Sequence, residues 1–405
     1  MNNILVVGYT YIKDSHRATF SFYPIRGKET LRALAASNGA GPKPENVFFL
    51  LPDIWKAMFG KVIYRGPKAK NIFLTKTYFS HSLYPLIGGL LKGWMPNFPF
   101  VLLRIKRAHK IKLIYSCSEP ILLTTLYNAF WSRMFGIKFV PYSWENLPYE
   151  AKRAAWFKKL ILRLTLFFSD GLICGTKKSR LIHQLYIKNK PITVFPMNGL
   201  DPDFFKRQSG PKTFQGMNLE GKTIFSFAGA IDRRKGVHVI IDAFPLVLKE
   251  LPSAHLIIVG SGDNDAVIQE KIEKYNLVGQ ITRIPWIEHS EVIKLFSISD
   301  VFLYPSVPYH GWEEQFGYAM AEASLTGLPI ISTLSGSIED VVKDGETGLL
   351  VLPNDFKALA KAMIRLGQDK ELRIRLGQAG RDYTCSNLSH KVIAEKFHDF
   401  FESLI

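Results

Sequence analysis

Cysteine is scarce in this chain of 405 residues. The three cysteines, Cys117, Cys174 and Cys385, are widely spaced, and none belongs to a CxxC metal or redox motif. This odd number argues against a disulfide framework and is typical of a reducing compartment, where cysteines serve as small core residues. We therefore expect a cytoplasmic protein.

Long apolar runs are also lacking. The best candidate for a membrane span, residues 84–103, is interrupted by Lys92, Pro96 and Pro99, and falls short of the roughly 18–20 apolar residues that a span needs. The amino-terminal MNNILVVGYTYIKD lacks the basic region of a signal peptide and is expected to contain a short buried strand.

Acidic residues are rare in the first half of the chain. Residues 1–200 hold 30 Lys and Arg against 8 Asp and Glu, a net charge of +22, whereas residues 201–405 hold 22 against 27, a net charge of −5. Such a basic half is typical of a protein that binds nucleic acid, an anionic membrane or a phosphorylated substrate. A solvated basic surface with no partner is the other interpretation.

Short aliphatic runs alternate with helical patterns, which predicts an α/β fold with parallel sheets in two Rossmann-like domains. The predicted strands are 4–8, 71–75, 112–116, 138–143, 171–175, 192–196, 223–229, 255–260, 280–286, 301–306, 329–333 and 348–352. The predicted helices are 121–135, 151–168, 237–250, 264–275, 290–297, 317–326 and 355–367.

A stretch rich in Pro, Gly and Asn, residues 196–222, predicts the boundary between the domains. We expect domains at 1–200 and 201–385, followed by a C-terminal helix within 386–405. Its predicted apolar stripe consists of Val392, Ile393, Phe397, Phe400 and Phe401.

The segment FAGAIDRRKGVHVIIDAF, residues 227–244, has the pattern of an anion-binding loop. A strand ends near Gly229, the loop carries Arg233, Arg234 and Lys235, and Gly236 opens a helix. Glycine permits close backbone approach, and the helix start adds free N–H groups, so the loop favours a diphosphate. A solvated basic turn is the simpler alternative.

Two carboxylates flank the start of another predicted helix, in EEQFGYAMAE. Glu314 and Glu322 are eight residues apart, a spacing that places them on nearly the same helical face. A carboxylate accepts two hydrogen bonds from a vicinal diol, so Glu322 is a candidate for holding a ribose and Glu314 for holding sugar hydroxyls. Glu314 equally suits a structural role at the helix dipole.

The strings Asp263-Asn264-Asp265 and Asp201-Pro202-Asp203 resemble metal-binding DxD motifs. Both lie in predicted turns, where Asp and Asn serve as turn and N-cap residues. We interpret them as turns, and no metal site is predicted.

Taken in order, four motifs over residues 185–385 resemble glycosyltransferase family 4, a group of retaining GT-B enzymes. They are VFPMNGLD, GAIDRRKG, EEQFGYAMAE with the family's E-x7-E spacing, and SIEDVVKDGETGLLV. The resemblance implies two Rossmann-like domains facing across a cleft, with the C-terminal helix crossing back to the first. It also implies sugar transfer from a UDP- or GDP-sugar without a metal or other cofactor.

The resemblance assigns roles by position. Lys235 is expected at the donor diphosphate and Glu322 at the ribose, while Ile287 marks backbone groups near the base. Glu314 is expected at the transferred sugar, with Gln315, Phe316 and Gly317 supplying backbone groups, and 337–339 in support. Lys235, Glu314 and Arg234 are the predicted catalytic residues, and Gly229 and Arg233 complete the predicted donor site.

The sequence departs from the family pattern at two places. Ala230 stands where the family usually has Arg, so Arg233 or Arg234 is expected to supply that charge. The first domain lacks the usual double-glycine loop and has SWEN where many members have a His. Its predicted acceptor side consists of Tyr9, Ser118, Glu119, Trp144 and Asn146.

Residues 100–112 and 151–168 mix cations with apolar residues at helical spacing, as in Trp156, Lys159, Arg163 and Phe167. Such helices lie in anionic membrane interfaces, or pack their apolar face into a domain. With the charge of this half, the pattern favours a peripheral membrane contact and a glycan or lipid-linked acceptor.

Other functions remain open. A GT-B phosphorylase or epimerase and a transferase-like protein without catalysis share the fold. Net charge alone suggests nucleic-acid binding, but RNP, KH, zinc and helix-turn-helix patterns are missing, so no nucleic-acid partner is expected.

Overall fold

The computed structural model describes residues 3–8, 47–56, 63–65, 72–79, 87–151 and 155–405. Its residues cluster into two compact units, which divide the chain between Gly199 and Leu200 and again between Ser389 and His390. The last sixteen residues, His390–Ile405, belong to the first unit.

The first unit contains a parallel sheet of seven strands in the order β5-β2-β1-β6-β7-β8-β9. The strands are β1 (Asn3–Val7), β2 (Val47–Pro52), β5 (Ile72–Thr75), β6 (Ile111–Ser116), β7 (Lys138–Ser143), β8 (Leu172–Cys174) and β9 (Ile192–Val194). A separate antiparallel pair is formed by β3 (Ile54–Lys56) and β4 (Ile63–Arg65).

Six α-helices of the first unit lie in the described ranges. They are α1 (Ile87–Leu90), α2 (Phe98–His109), α3 (Leu123–Met134), α4 (Ala155–Phe168), α5 (Lys177–His183) and α12 (His390–Glu402). The last of these packs on the sheet, because its buried aromatic residues Phe397, Phe400 and Phe401 share a core cluster with strand residues such as Tyr115. The ring centroids of Phe397 and Tyr115 are 5.0 Å apart.

The second unit contains a parallel sheet of six strands in the order β14-β13-β12-β15-β16-β17. The strands are β12 (Thr223–Ala228), β13 (Ala254–Val259), β14 (Ile281–Ile284), β15 (Val301–Tyr304), β16 (Ile330–Thr333) and β17 (Gly348–Val351), and β10 (Thr213–Phe214) pairs with β11 (Met217–Asn218) beside them. The helices are α6 (Val237–Glu250), α7 (Asp265–Lys274), α8 (His289–Ile298), α9 (Tyr318–Leu325), α10 (Phe356–Gln368) and α11 (Lys370–Leu388).

The predicted α/β class with two Rossmann-like parallel sheets is confirmed. The central strands are mostly apolar and are buried on both faces; all six residues of β13 are buried, for example. Most of the predicted strands and helices are present with ends shifted by a few residues. The sequence analysis missed β2, although all six of its residues, VFFLLP, are buried.

Two details differ from the sequence predictions. The boundary predicted after residue 385 falls inside α11. Along α12, Val392 is only partly buried and Ala394 takes its place in the core, because a straight helix turns residue 392 away from the sheet. Over the described ranges, no helix combines the length and apolar character needed to cross a membrane.

Candidate functional site

The candidate site lies where the strand order of the second sheet reverses. The chain runs outward from β12 through β13 to β14, then returns to the other side of β12 with β15. In open α/β sheets, the loops that leave such a point diverge and leave a crevice at the carboxyl ends of the strands. The loop that follows β12 and the end of β15 therefore carry the side chains best placed to meet a ligand.

Local hydrogen bonds shape the loop after β12. Asp232 accepts a hydrogen bond from the backbone N–H of Lys235 and caps the short 3₁₀ turn Arg233–Lys235. Gly236 then adopts a φ of 71°, and a Cβ at this position would lie 1.8 Å from the carbonyl oxygen of Pro305. Only glycine permits this contact, which holds the basic loop against the segment that follows β15.

Lys235 lies at the centre of the site. Its ammonium nitrogen is 2.6 Å from a carboxylate oxygen of Glu314 and 2.6 Å from the hydroxyl oxygen of Tyr304, which itself donates to Glu314 at 3.0 Å. The Lys235 and Glu314 side chains are only 16% and 7% exposed, so water screens the ion pair weakly. The structure thus joins two predicted catalytic residues and adds Tyr304, which the sequence analysis missed.

The protonation of this cluster follows from burial and from the neighbouring charge. Burial alone would lower the pKa of Lys235, but the Glu314 carboxylate and Tyr304 outweigh it, so that pKa is raised. Burial, followed by the charge of Glu314, raises the pKa of Tyr304. At neutral pH, Lys235 is therefore a cation and Tyr304 a neutral hydroxyl.

The backbone of Glu314 is held by the segment that follows β16. Ser337 donates its N–H to the carbonyl of Glu314 at 2.9 Å. Gly336, with a φ of 59°, packs so closely that a Cβ there would lie 2.0 Å from the same carbonyl oxygen. Residues 337–339 were predicted to lie beside the site, and Ser337 contacts the backbone of Glu314 there.

Arg233 and Arg234 lie against a tight turn of aromatic residues. Tyr309 and Trp312 pair through two backbone hydrogen bonds of 3.0 Å, with His310 and Gly311 at positive φ between them. The Arg234 guanidinium carbon is 4.5 Å from the Trp312 ring centroid, and Arg234 also pairs with Asp232. Arg233 lies 5.7 Å from the Tyr309 ring. Both arginines therefore belong to the same basic loop surface as Lys235.

Helix α9 begins beside the ion pair. Gly317 precedes it at a φ of 75°, and the helix starts at Tyr318, so its first backbone N–H groups lie close behind Gln315 and Phe316. Glu322 is buried, 4% exposed, about one turn inside the helix. Glu314 precedes the helix, so helical periodicity does not relate its position to that of Glu322.

Two other predicted donor residues frame this edge of the sheet. Gly229 directly follows β12, and its N–H donates to Val259 at 3.0 Å. Ile287 is buried, 6% exposed, in the loop between β14 and α8, and β14 ends before the end of the strand predicted over 280–286. Pro285 cannot donate a ladder hydrogen bond, and the strand ends at Ile284.

Four of the five predicted acceptor residues of the first unit follow the carboxyl ends of β6 and β7. Glu119 accepts hydrogen bonds from the Ser143 hydroxyl and from the Trp144 N–H, both at 2.6 Å. Ser118 and Asn146 are buried. Glu119 thus organises the end of β7 through these bonds, whereas Tyr9 lies outside the described residues.

The DxD strings serve as turns, as expected. Asp265 accepts a hydrogen bond from the N–H of Gly262 at 2.8 Å and pairs with Arg283. Asp201 accepts one from the N–H of Asp203 at 3.0 Å. In the part of the chain that the structure describes, three or more His, Cys, Asp or Glu side chains do not gather in a group that could hold a metal ion.

The segment that contains Lys235, Glu314 and Glu322 is similar to a known protein family. Residues 211–383 match the family model of glycosyl transferases group 1. The matched segment lies wholly within the second unit and contains the Lys235–Tyr304–Glu314 cluster.

The chain is 26% identical to the capsular polysaccharide biosynthesis glycosyltransferase CapM of Staphylococcus aureus over 61% of this chain and 65% of the relative. The first four curated relatives are matched over 41% to 65% of their own length.

Solved structures resemble the chain over its whole length. Sucrose-phosphate synthase from Thermosynechococcus elongatus gives a TM-score of 0.72 at 18% identity, covering 100% of this chain and 99% of that one. Anabaena HepE in complex with UDP gives 0.71 at 17% identity, covering 99% and 100%. At these identities the likeness shows the fold, which agrees with the predicted GT-B class.

Proposed function

We propose that the protein is a retaining glycosyltransferase that takes a sugar from a UDP- or GDP-sugar, without a metal, and transfers it to a hydroxyl of a glycan or lipid-linked acceptor. The observation that carries this proposal is the buried Lys235–Glu314 pair at the strand-order reversal of the group 1 domain. The fold neighbour HepE, which was solved with UDP, and the relative CapM, named for capsular polysaccharide synthesis, support the same class of donor and product.

The chemistry requires positive charge where the nucleoside diphosphate departs. The bond between the anomeric carbon and the donor phosphate breaks, the acceptor oxygen bonds to that carbon, and the acceptor proton passes to the leaving phosphate. Negative charge that develops on the diphosphate is stabilised by a preorganised cation. Lys235 provides it, and Arg233 and Arg234 extend the positive surface of the same loop.

Glu314 neutralises Lys235 and fixes its position. In our proposal the diphosphate becomes the second anion beside Lys235, while the carboxylate of Glu314 accepts hydrogen bonds from the transferred sugar. The start of α9 adds backbone N–H groups and a partial positive charge to this region. Glu322, one turn further along α9, binds the ribose in this proposal.

The acceptor side involves an anionic membrane surface in our proposal. Helix α4 exposes an apolar stripe of Trp156, Leu160, Leu164 and Phe167, at spacings that place them on one face. Trp156 and Phe167 are 73% and 72% exposed, although the opposite face of the same helix is buried in the first unit. Arg163 is exposed beside the stripe, as suits an interface with anionic headgroups.

The donor proposal is tested by calorimetry with UDP, GDP, ADP and dTDP in the absence of metal. We expect one nucleotide to bind, with an affinity that Glu322→Ala lowers at least tenfold and that the control Glu250→Ala, at the exposed end of α6, leaves unchanged. Failure of all four nucleotides to bind contradicts the proposal. A reaction that depends on orthophosphate would instead identify a phosphorylase.

The membrane proposal is tested by sedimentation with phosphatidylglycerol vesicles. We expect Trp156→Ser/Phe167→Ser to lose vesicle binding, whereas Leu181→Ser/Leu185→Ser, which also replaces two exposed apolar residues of the first unit, retains it. Equal binding by both double variants contradicts this role for α4.

A further inference from the structure

The second unit contains a cavity of about 500 Å³ away from the candidate site. Its lining includes Asp300 and Pro329, which immediately precede β15 and β16 and so mark the amino ends of these strands. Lys235 and Glu314 lie beyond the carboxyl ends of the same sheet. The two sites therefore lie at opposite ends of the strands of one parallel sheet.

The lining of this cavity is strongly cationic. It includes five basic residues, Lys206, Arg207, Lys370, Arg373 and Arg381, and one acid, Asp300. Asp300 is already engaged, because its carboxylate pairs with Lys212 at 2.9 Å and accepts the N–H of Ile224 at 2.8 Å. Within the described ranges, none of the five cations forms an ion pair with a carboxylate.

The five cations cluster in a half of the chain that has a negative net charge. Residues 201–405 carry a net charge of −5, so a random surface of this half would mix both signs with an excess of acid. Five cations around one cavity instead repel one another and raise the local positive potential. An anion in the cavity relieves that repulsion.

Backbone carbonyls hold the arginines in position. Arg207 donates to the carbonyls of Ser297 and Ser299 at 3.2 and 2.9 Å, and Arg373 donates through one nitrogen to Leu366 and Gly367 at 2.5 and 2.7 Å. A guanidinium has five N–H donors, so these bonds leave donors for a ligand while fixing the side chains.

The charges of these two arginines also interact. Desolvation lowers the pKa of Arg207, Asp300 opposes this effect, and the positive charge of Arg373 adds to it. Both arginines line the same cavity, so a single anion bound there would interact with both charges.

We infer that this cavity binds a small ligand that carries two or more phosphate groups. Guanidinium groups match phosphate oxygens in bidentate geometry, and the exposed Lys206 and Lys370 add point charges at the rim. The cavity volume lies in the range of small-molecule sites, and its concave shape suits a compact ligand better than a flat membrane. This site is separate from the proposed donor site.

Calorimetry with inorganic pyrophosphate tests the inference on the full chain. Because pyrophosphate also resembles the donor diphosphate, every protein carries Lys235→Met, and circular dichroism first verifies that each variant is folded at the temperature of the titration. In this background we expect pyrophosphate to bind and Lys206→Gln/Lys370→Gln to weaken it at least tenfold. The control Lys357→Gln/Lys361→Gln removes the same charge from exposed positions of α10 and leaves the affinity unchanged.

Inorganic phosphate provides a second arm, and we expect it to bind at least tenfold more weakly than pyrophosphate because it contacts fewer cations. Phosphatidylglycerol vesicles provide a third arm, and their binding should not change in the Lys206/Lys370 variant. The inference would be overturned if pyrophosphate did not bind in the Lys235→Met background, or if both double variants bound it with equal affinity. Equal affinity for phosphate and pyrophosphate, or a loss of vesicle binding in the Lys206/Lys370 variant, would also overturn it.

Discussion

Lys235 and Glu314 are separated by 79 residues in the chain, yet their charged atoms are 2.6 Å apart. The distance results from the order of the strands, because β12 and β15 are neighbours in the sheet although β13 and β14 separate them in sequence. A buried ion pair costs desolvation free energy and is weak evidence for stability by itself. Its position at a strand-order reversal supports the functional role that we propose for it.

Breaking this pair from either side should destabilise the protein. Lys235→Met or Glu314→Gln leaves one buried charge without its partner, and we expect each to lower the free energy of unfolding by about 3–5 kcal/mol. The double variant should lose less than the two single variants together. Urea unfolding of all four proteins measures the coupling, and strictly additive losses would show that the pair does not act as a unit.

The hydroxyl of Tyr304 should contribute less to stability and to nucleotide affinity than the ion pair does. Tyr304→Phe removes its bonds to Lys235 and Glu314 but keeps both charges, so we expect a loss of about 1–2 kcal/mol in stability. Nucleotide affinity should fall less than tenfold, whereas Lys235→Met should lower it more than tenfold. Tyr275→Phe, which removes a hydroxyl from the surface of the same unit, is the control. A larger affinity loss in Tyr304→Phe than in Lys235→Met would reverse this ranking.

Gly236 should tolerate no side chain. In Gly236→Ala, the added Cβ meets the carbonyl oxygen of Pro305 at 1.8 Å, and the φ of 71° disfavours alanine, so the loop backbone must move. We expect the variant to lose at least about 2 kcal/mol of stability and to lose nucleotide binding. Gly279→Ala is a matched control, because its Cβ meets nothing within 4 Å. Wild-type nucleotide affinity in Gly236→Ala would show that loop position is unimportant.

His289 should make stability depend on pH in the mildly acidic range. Its ring stacks on Phe204 at 5.0 Å, and burial lowers its pKa from 6.5 to about 4. Between these values the unfolded chain binds more protons than the folded protein does, so this contribution to stability is complete above pH 6.5 and is lost as the pH falls toward 4. His289→Phe keeps a ring but cannot be protonated.

Thermal unfolding between pH 4 and 6.5 tests this difference. We expect the wild type to lose stability with a slope that exceeds that of His289→Phe by up to about one proton, or about 1.4 kcal/mol per pH unit. His398→Phe, which removes a histidine from α12 of the first unit, is the control for the loss of a histidine elsewhere in the chain. Parallel curves for the wild type and His289→Phe would contradict the prediction.

Sequence alone determined most of the local structure. Buried parallel strands are continuous aliphatic runs, and the helices between them have apolar residues at helical spacing, so their type could be predicted from neighbouring residues. The basic loop at Arg233–Lys235 and the helix start at Gly317 were recognised for the same reason, since both depend on local turn chemistry. Strand β2 was missed even though its apolar run is as clear as that of β13.

Only the tertiary structure decided which side chains meet. Strand order brought Tyr304 to Lys235 across 69 residues, and it brought Lys206 and Lys370 to one cavity at the opposite edge. Periodicity within a helix could not place Glu314, because it lies in a loop whose course is set by Gly336 and Ser337 from another strand connection. Local patterns specify elements, whereas contacts between distant residues depend on how those elements are ordered and packed.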